Sequence, residues 1–164
     1  MNSEQLNIEF LRVKDAAYRY AVSLLHNPTE AEDLVQDLYE KLWRRRLLLR
    51  QSGFQSLVLT SARNMALDRL RERERRRLIT DIDEASGQGV ELKELSDEVA
   101  IIKRIISGLP EREREVIHLR DVEAMEFADI AEVVGSNVAA VRMAHSRARQ
   151  RVREEFSKIM NYGL

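Results

Sequence analysis

The sequence predicts an all-α protein of two small helical domains joined by a flexible acidic linker. Six glycines and two prolines in 164 residues, with abundant Leu, Arg, Glu and Ala, favour helix throughout. Apolar residues recur at helical spacing in several stretches. A polar, acidic stretch with two glycines separates these stretches into two groups. We place the first domain at residues 1–78, the linker at 79–98 and the second domain at 99–164.

The first helix is predicted from about Glu4 to Leu25. Proline disfavours helical conformation in the residue before it, so Pro28 ends this helix near His26. The apolar residues of the inner side share one stripe: Phe10, Val13, Ala17, Tyr20, Ala21 and Leu24.

The second helix is predicted to start at a capping box, Thr29 to Glu32, and to continue to about Arg46. Its buried stripe comprises Ala31, Leu34, Val35, Leu38 and Leu42. The opposite face contains acids and an amide but no base: Asp33, Gln36, Asp37 and Glu40. Such a face is either solvated surface or a docking site for a basic partner.

The segment from Arg44 to Ser56 is irregular in pattern, with Gly53 as its hinge, and a third helix begins near Phe54 and runs to about Arg77. The core side of this helix carries Val58, Ala62, Met65, Ala66 and Leu70. A polar row follows another side: Thr60, Asn64, Asp68, Arg71 and Arg75. This row suits a nucleic-acid strand, because Asn reads base edges and Arg contacts phosphates or stacks on bases.

The second domain begins with a predicted helix from Val99 to Ser107, which Gly108 closes. Pro110 is suited to the first position of the next helix, which extends to about Asp121. The apolar residues expected to be buried there are Val116, Ile117 and Leu119.

The stretch from Met125 to Arg153 has the pattern of a helix-turn-helix. A short helix, Phe127–Val134, is followed by Gly135, which tolerates left-handed backbone, and by Asn137, a good N-cap. The second helix places Val141, His145, Ala148, Val152 and Phe156 on one stripe. Its other sides are rich in arginine, so it is a candidate recognition helix. An ordinary helical hairpin with a solvated basic face is the alternative.

The net charge of −1 hides strong segregation. Residues 54–77 carry seven Arg and three acids, residues 78–99 carry one Lys and seven acids, and residues 138–164 carry six bases and two acids. The three segments therefore have charges of +4, −6 and +4. Two basic patches around an acidic spacer indicate two nucleic-acid contacts, unless they are simply solvated helix faces.

The sequence disfavours an enzyme. Cysteine is absent, and the three histidines, His26, His118 and His145, lie far apart. Glu115 and His118 form one Glu-x-x-His pair, but a di-metal site in a helical bundle needs two. There is no phosphate loop, nucleophile elbow or zinc-ligand spacing. We therefore expect no metal site. Without a signal peptide or a long apolar run, the chain is expected to be cytoplasmic.

Two stretches of the first domain carry a family resemblance. Residues 31–37 (Ala-Glu-Asp-Leu-Val-Gln-Asp) with Leu42-Trp43 resemble the core-polymerase-binding helix of bacterial RNA polymerase sigma factors. Phe54, Ala62-Arg63-Asn64 and Asp68-Arg69-Leu70-Arg71 are similar to the helix of that family that binds the −10 promoter element.

The second domain extends the resemblance. Residues 109–116 (Leu-Pro-Glu-Arg-Glu-Arg-Glu-Val) through Arg147-Ala148-Arg149 resemble the −35-binding domain of the same family. A chain with only these two domains resembles the extracytoplasmic-function group. The resemblance covers about residues 9–77 and 99–153.

The resemblance implies partners and site residues. The first domain would dock on the clamp helices of the largest polymerase subunit through Asp33, Leu34, Gln36 and Asp37. It would capture the melted −10 element through Phe54, Arg63, Asn64, Asp68, Arg69 and Arg71. The second domain would read the −35 element through Ala140, Arg142, Met143, Ser146, Arg147 and Arg149. The resemblance implies no cofactor, and an anti-sigma factor is the expected restraining partner.

The sequence departs from the family pattern at three places, one of which is Ser136 in place of a usual apolar residue of the turn. Leu57 stands where the family usually has Trp, and residues 140–145 read Ala-Val-Arg-Met-Ala-His where Thr-Val-Lys-Ser-Arg-Leu is common. The promoter sequence therefore does not carry over from the family. Two other functions are compatible with parts of the chain: a helix-turn-helix regulator that binds duplex DNA without polymerase, and a helical adaptor that binds no nucleic acid. The regulator leaves the Asp33 and Asp37 face unexplained.

Overall fold

The computed structural model describes residues 1–80 and 96–162. The chain divides into two compact units, Met1–Val90 and Glu91–Leu164, and the division falls between the described ranges. Within those ranges the regular elements are all helical, which confirms the all-α prediction. No helix in the described part of the chain is long and apolar enough to cross a membrane.

The described residues of the first unit form three α-helices: α1 (Ser3–Leu25), α2 (Pro28–Arg44) and α3 (Phe54–Thr80). A single 3-10 turn, Arg46–Leu48, lies between α2 and α3. Helix α1 packs against both other helices. The inner sides predicted for α1 and α2 are buried in full, because both helices keep one continuous apolar stripe.

The junction between α1 and α2 differs from the prediction in its cap. His26 ends α1 in a left-handed conformation, with φ of 54°. The side chain of Asn27 accepts a hydrogen bond of 3.0 Å from the backbone amide of Glu30, and Pro28 takes the first helical position. The capping box predicted at Thr29 is therefore wrong, because Thr29 already lies within the first turn.

Helix α3 begins at Phe54, as predicted, and continues past Arg77 to Thr80. Val58, Ala62 and Ala66 are buried in the core of the unit, and Met65 and Leu70 are half-buried. Since the buried stripe occupies only the first half of α3, the second half projects as a largely exposed, charged helix.

The second unit contains α4 (Asp97–Ser107), α5 (Glu111–Ile117), α6 (Phe127–Val134) and α7 (Val138–Asn161). Helix α7 packs against the other three. Ser96 caps α4, so Asp97 and Glu98 form its first turn, although we had assigned both to the linker. The rest of the predicted flexible linker, residues 81–95, lies outside the described residues.

The end of α5 also differs from the prediction. Pro110 precedes the helix as its cap residue, one position earlier than expected. The helix stops at Ile117 and widens into a π-helical turn, His118–Val122, in which the amide of Glu123 donates to the carbonyl of His118 at 3.1 Å. Val116 and Ile117 of α5 and Leu119 of the π-helical turn are buried as predicted.

Candidate nucleic-acid and protein interfaces

The acidic face predicted on α2 is exposed. Asp33, Gln36, Asp37 and Glu40 all lie on the solvent side of the helix. Leu34 does not share this face, because its side chain is completely buried. The assignment of Leu34 to a protein contact is therefore corrected: it belongs to the core stripe that fixes α2 in place.

Arg69 of α3 bridges the acidic face. Its guanidinium donates to Asp33 Oδ2 at 3.0 Å, to Asp37 Oδ2 at 2.7 Å and to the backbone carbonyl of Glu30 at 3.2 Å. Arg73, one turn further along, pairs with the carboxylate of Glu30. The structure thus places the Arg69 guanidinium against α2, and its assignment to the −10 contact stays a prediction.

Most residues of the polar row predicted on α3 are exposed to solvent. Asn64, Asp68 and Arg71 are exposed, while Arg63 is half-buried. Asp68 and Arg71 form an ion pair of 3.1 Å, with 73% and 75% of their side chains exposed. The exposed amide of Asn64 therefore lies near the ion pair of Asp68 and Arg71. Such a row of side chains is suited to contacting bases and phosphates together.

Phe54 is buried, with 3% of its surface exposed, so it is a core residue and its assignment to the −10 contact is corrected. The residue begins α3 and its ring serves the core. Leu57, where the resembled family usually has Trp, is exposed instead. In the described conformation, the first turn of α3 thus offers an aliphatic side chain and no aromatic ring for stacking.

The connection between α2 and α3 carries a surface that the sequence patterns did not reveal. Leu47 and Leu48 of the 3-10 turn are strongly exposed. Arg46 lies over the ring of Trp43, with its guanidinium carbon 4.5 Å from the ring centroid, and donates to the Trp43 carbonyl. Gly53 has a φ of 71°, the left-handed conformation that a hinge before α3 requires.

The helix-turn-helix prediction is confirmed in its local geometry. Gly135 ends α6 in the left-handed conformation, with φ of 67°. The amide of Ser136 donates to the carbonyl of Ala131 at 2.8 Å, and the side chain of Asn137 accepts from the amide of Ala140 at 2.9 Å. These bonds close one helix and start the next within three residues, which sets a sharp turn.

Helix α7 separates an inward and an outward side. Val141, Ala144 and Ala148 are buried, and His145 is half-buried. Ala144 therefore belongs to the core of the second unit. The predicted groove-facing residues are all exposed: Ala140, Arg142, Met143, Ser146, Arg147 and Arg149.

Phe127 organises the surface next to the recognition helix. Its ring lies 4.3 Å from the guanidinium carbon of Arg120 and 5.5 Å from that of Arg142. The His145 ring meets it edge-on, at a centroid distance of 5.4 Å, and also contacts Asp121 at 3.0 Å. Arg142 thus has an aromatic support, a cation–π contact that the spacing of the sequence did not show.

One basic residue of α7 is held by α5. Arg151 pairs with Glu113 at 3.1 Å, and the Glu113 side chain is only 9% exposed. Glu115 is also buried. Sequence reasoning treated both glutamates as part of a family motif and missed their burial, because acids in a charged run normally lie on the surface. Arg151 is therefore paired with a buried acid of α5, although 56% of its own side chain is exposed.

Residues 10–76 match the family described as Sigma-70 region 2, and residues 100–152 match the family described as Sigma-70, region 4. The RNA polymerase sigma-H factor of Pseudomonas aeruginosa is 30% identical over 145 residues, covering 80% of this chain and 75% of that protein. The ECF RNA polymerase sigma factor SigE of Mycolicibacterium smegmatis is 25% identical over 150 residues. That match covers 88% of this chain and 58% of SigE.

The chain spans 58% of SigE and 36% of the probable RNA polymerase sigma factor RfaY of Xanthomonas campestris, so these relatives are considerably longer. Among solved structures, the sigma factor RpoE from Bartonella quintana, crystallised with the anti-sigma factor NepR, superposes with a TM-score of 0.76 at 26% identity. The match covers 94% of this chain and 98% of RpoE.

CnrH, solved in complex with the cytosolic domain of CnrY, shares the fold, with a TM-score of 0.69 and 22% identity over 99% of this chain and 92% of CnrH. The two matched regions follow one another along the chain, region 2 in the first unit and region 4 in the second. The chain belongs to the sigma-70 family of RNA polymerase sigma factors, in its extracytoplasmic-function group.

Proposed function

We propose that this protein binds core RNA polymerase and directs it to promoters by contacting the −10 and −35 elements. It carries out no chemistry itself and works in the cytoplasm, where polymerase and DNA are found. The observation that supports this function best is the coexistence of two different surfaces in one chain. One is an exposed acidic face on α2, suited to a basic protein partner, and the other is a basic recognition helix, α7.

The polymerase contact is assigned to Asp33, Gln36 and Asp37. Two carboxylates and an amide within two turns of one rigid helix complement a basic surface, and the clamp helices of the largest polymerase subunit are the proposed partner. Leu34 supports this face from the core, since it is fully buried between the acidic positions.

The −10 contact is assigned to the exposed polar row of α3 and to the loop before it. A protein without an energy source melts DNA by binding unpaired bases better than paired ones, and base contacts offset a few kcal/mol of unstacking per extruded base. Asn64 is the candidate base reader, while Asp68 and Arg71 lie one and two turns further along the helix.

The −35 contact is assigned to α7. Its exposed residues offer two kinds of interaction: Ala140 and Met143 suit thymine methyl groups, whereas Arg142 suits a guanine edge. Arg147 and Arg149 follow nearer the middle of the helix, where they suit phosphates. An anti-sigma factor is proposed as a further partner, because the similar RpoE was crystallised with one.

Co-purification with core polymerase and run-off transcription test the proposal. We expect the wild-type chain to bind core polymerase and to support transcription from a promoter obtained by selection. Asp37→Arg should weaken polymerase binding while helix content stays native, and Glu4→Arg, an acid-to-base change on α1, serves as its control. Binding of duplex operators without any association with polymerase would instead favour a free-standing helix-turn-helix regulator.

Permanganate footprinting tests the −10 assignment separately. Holoenzyme with the wild-type chain should give reactive thymines near the start site, and Asn64→Ala should reduce their reactivity severalfold. Equal reactivity in the two complexes would remove Asn64 from the strand-binding row, while leaving the polymerase contact unaffected.

A further inference from the structure

Arg69 of α3 is firmly anchored to α2. It makes three hydrogen bonds to α2, and only 22% of its side chain is exposed. The carboxylates that it joins, Asp33 and Asp37, keep 64% and 52% of their side chains exposed. Arg69 is therefore fixed under the acidic face rather than lying on top of it.

The contacts leave both carboxylates able to bind a second partner. Arg69 reaches one oxygen of each, Oδ2 in both cases. An ionised carboxylate has two oxygens and about four acceptor sites in total. Each aspartate can thus accept from Arg69 and from an incoming base at the same time.

Without Arg69, the two aspartates would stand one helical turn apart as like charges. Such i, i+4 pairs repel each other and destabilise the helix slightly. Their side chains would also sample several rotamers, which would have to be restricted when a partner binds. The planar guanidinium, which holds both carboxylates with separate nitrogens, removes both disadvantages in advance.

We propose that Arg69 is a positioning residue of the polymerase interface: it holds Asp33 and Asp37 in one orientation for basic side chains of the polymerase. This inference rests on the proposed function and assigns Arg69 to protein docking instead of DNA. The same geometry predicts the sign of its effect. Loss of Arg69 weakens polymerase binding, although it increases the net negative charge of the face.

Arg73 provides the matched control. It also extends from α3 to α2 and pairs with the Glu30 carboxylate, but it has no contact with Asp33 or Asp37. Arg73→Ala removes an interhelical ion pair without disturbing the orientation of the acidic face. A difference between the two alanine variants therefore separates positioning of the aspartates from general attachment of α3 to α2.

The experiment measures equilibrium binding of the labelled full-length chain to core RNA polymerase of the source bacterium, without DNA. We expect Arg69→Ala to raise the Kd roughly tenfold, Arg69→Lys to have an intermediate effect because a point charge replaces the fork, and Arg73→Ala to change it less than about twofold. Circular dichroism melts of each variant report folding, and Arg69→Gln, which keeps a neutral donor, replaces the alanine variant if that one unfolds.

The double variant Asp33→Asn with Asp37→Asn completes the test. In that background Arg69→Ala should have less than about twofold further effect, since the groups that it positions are no longer charged. Tighter binding by Arg69→Ala would overturn the inference and show that Arg69 masks the face. Equal weakening by Arg73→Ala would also overturn it. If the double variant binds like wild type, the proposed docking face itself fails; if only Arg69→Ala is neutral, the face stands and the positioning role falls.

Discussion

Helices α3 and α7 both present rows of arginines, but the two rows differ in what those arginines contact. Along α3, the arginines of the second half pair with carboxylates of α2 or of α3 itself: Arg69, Arg71, Arg73, Arg75, Arg76 and Arg77. Along α7, Arg151 pairs with Glu113, whereas Arg147, Arg149 and Arg153 make no ion pair with any described residue.

This difference shows that two segments of equal net charge can differ in how many of their arginines are available to bind a phosphate. The two segments have the same net charge of +4. In the proposed DNA complex, an ion-paired arginine of α3 would have to exchange its carboxylate for a phosphate, whereas Arg147, Arg149 and Arg153 of α7 would not. Because release of counterions follows the number of new phosphate contacts, we expect α7 to supply most of the salt dependence of promoter binding.

The largest effect is expected from Arg142→Ala. The guanidinium of Arg142 is supported by the Phe127 ring and lies near the start of the recognition helix. Loss of a bidentate contact with guanine should cost about 1–3 kcal/mol and relax preference at one base pair. Binding-site selection with holoenzyme measures this. Arg142→Lys, which keeps the charge without the fork, should lose discrimination but retain non-specific affinity; full −35 preference in the alanine variant would mean that the helix register is wrong.

A smaller and different effect is expected from Arg147→Ala. This residue has no carboxylate partner among the described residues, so its charge is fully available to a phosphate. Affinity should fall for all duplex sequences alike, and the slope of log K against log salt should decrease in magnitude by about 0.9. Titrations at several salt concentrations measure the slope. A sequence-dependent loss with an unchanged slope would instead identify Arg147 as a base reader.

Only part of the contrast between α3 and α7 could be predicted from the sequence. Helical stripes and caps are local, so the buried side of α2 and the Gly135–Asn137 turn followed from neighbouring residues. The contacts of Arg69 join residues 32 and 36 positions apart, and no periodicity within α3 encodes them. The same limit explains the Arg142 contact with Phe127, which depends on how two helices cross.

The family motifs assigned two buried residues to contact surfaces. Leu34 and Phe54 stood inside recognisable motifs, and a motif does not state which of its residues form the core. Helix periodicity alone assigned Leu34 to the buried stripe of α2, and the structure agrees with periodicity. Where the family motif and the helical stripe gave different roles to one residue, burial followed the stripe.

Arg71→Ala should have a smaller effect than Arg147→Ala. Arg71 and Asp68 are both largely exposed, and such surface pairs contribute about 0–1 kcal/mol. Part of the attraction of Arg71 for a phosphate is offset by Asp68, so loss of Arg71 should weaken binding to single-stranded −10 DNA by less than about 1 kcal/mol. Fluorescence titration of holoenzyme with that strand tests this. A loss as large as that of Arg147→Ala on duplex DNA would break the contrast between paired and unpaired arginines.

The smallest expected effect is that of low pH on the exposed second half of α3. The pKa of Glu72 is lowered because Arg75 donates hydrogen bonds to its carboxylate, with added attraction from the charges of Arg75 and Arg76. A group whose pKa is lower in the folded state stabilises that state above its unfolded pKa and loses this contribution as the pH falls through the folded value. Helix content near Arg75 should therefore decline slightly as the pH falls below the ordinary pKa range of a glutamate.

Carboxyl-detected NMR titration should give a lower pKa for Glu72 in the wild type than in Arg75→Ala. The Glu72→Gln variant should lack the acid-dependent loss from this group. Identical titration curves with and without Arg75 would mean that the ion pairs of α3 do not persist in solution, and its arginines would then be as available to DNA as those of α7.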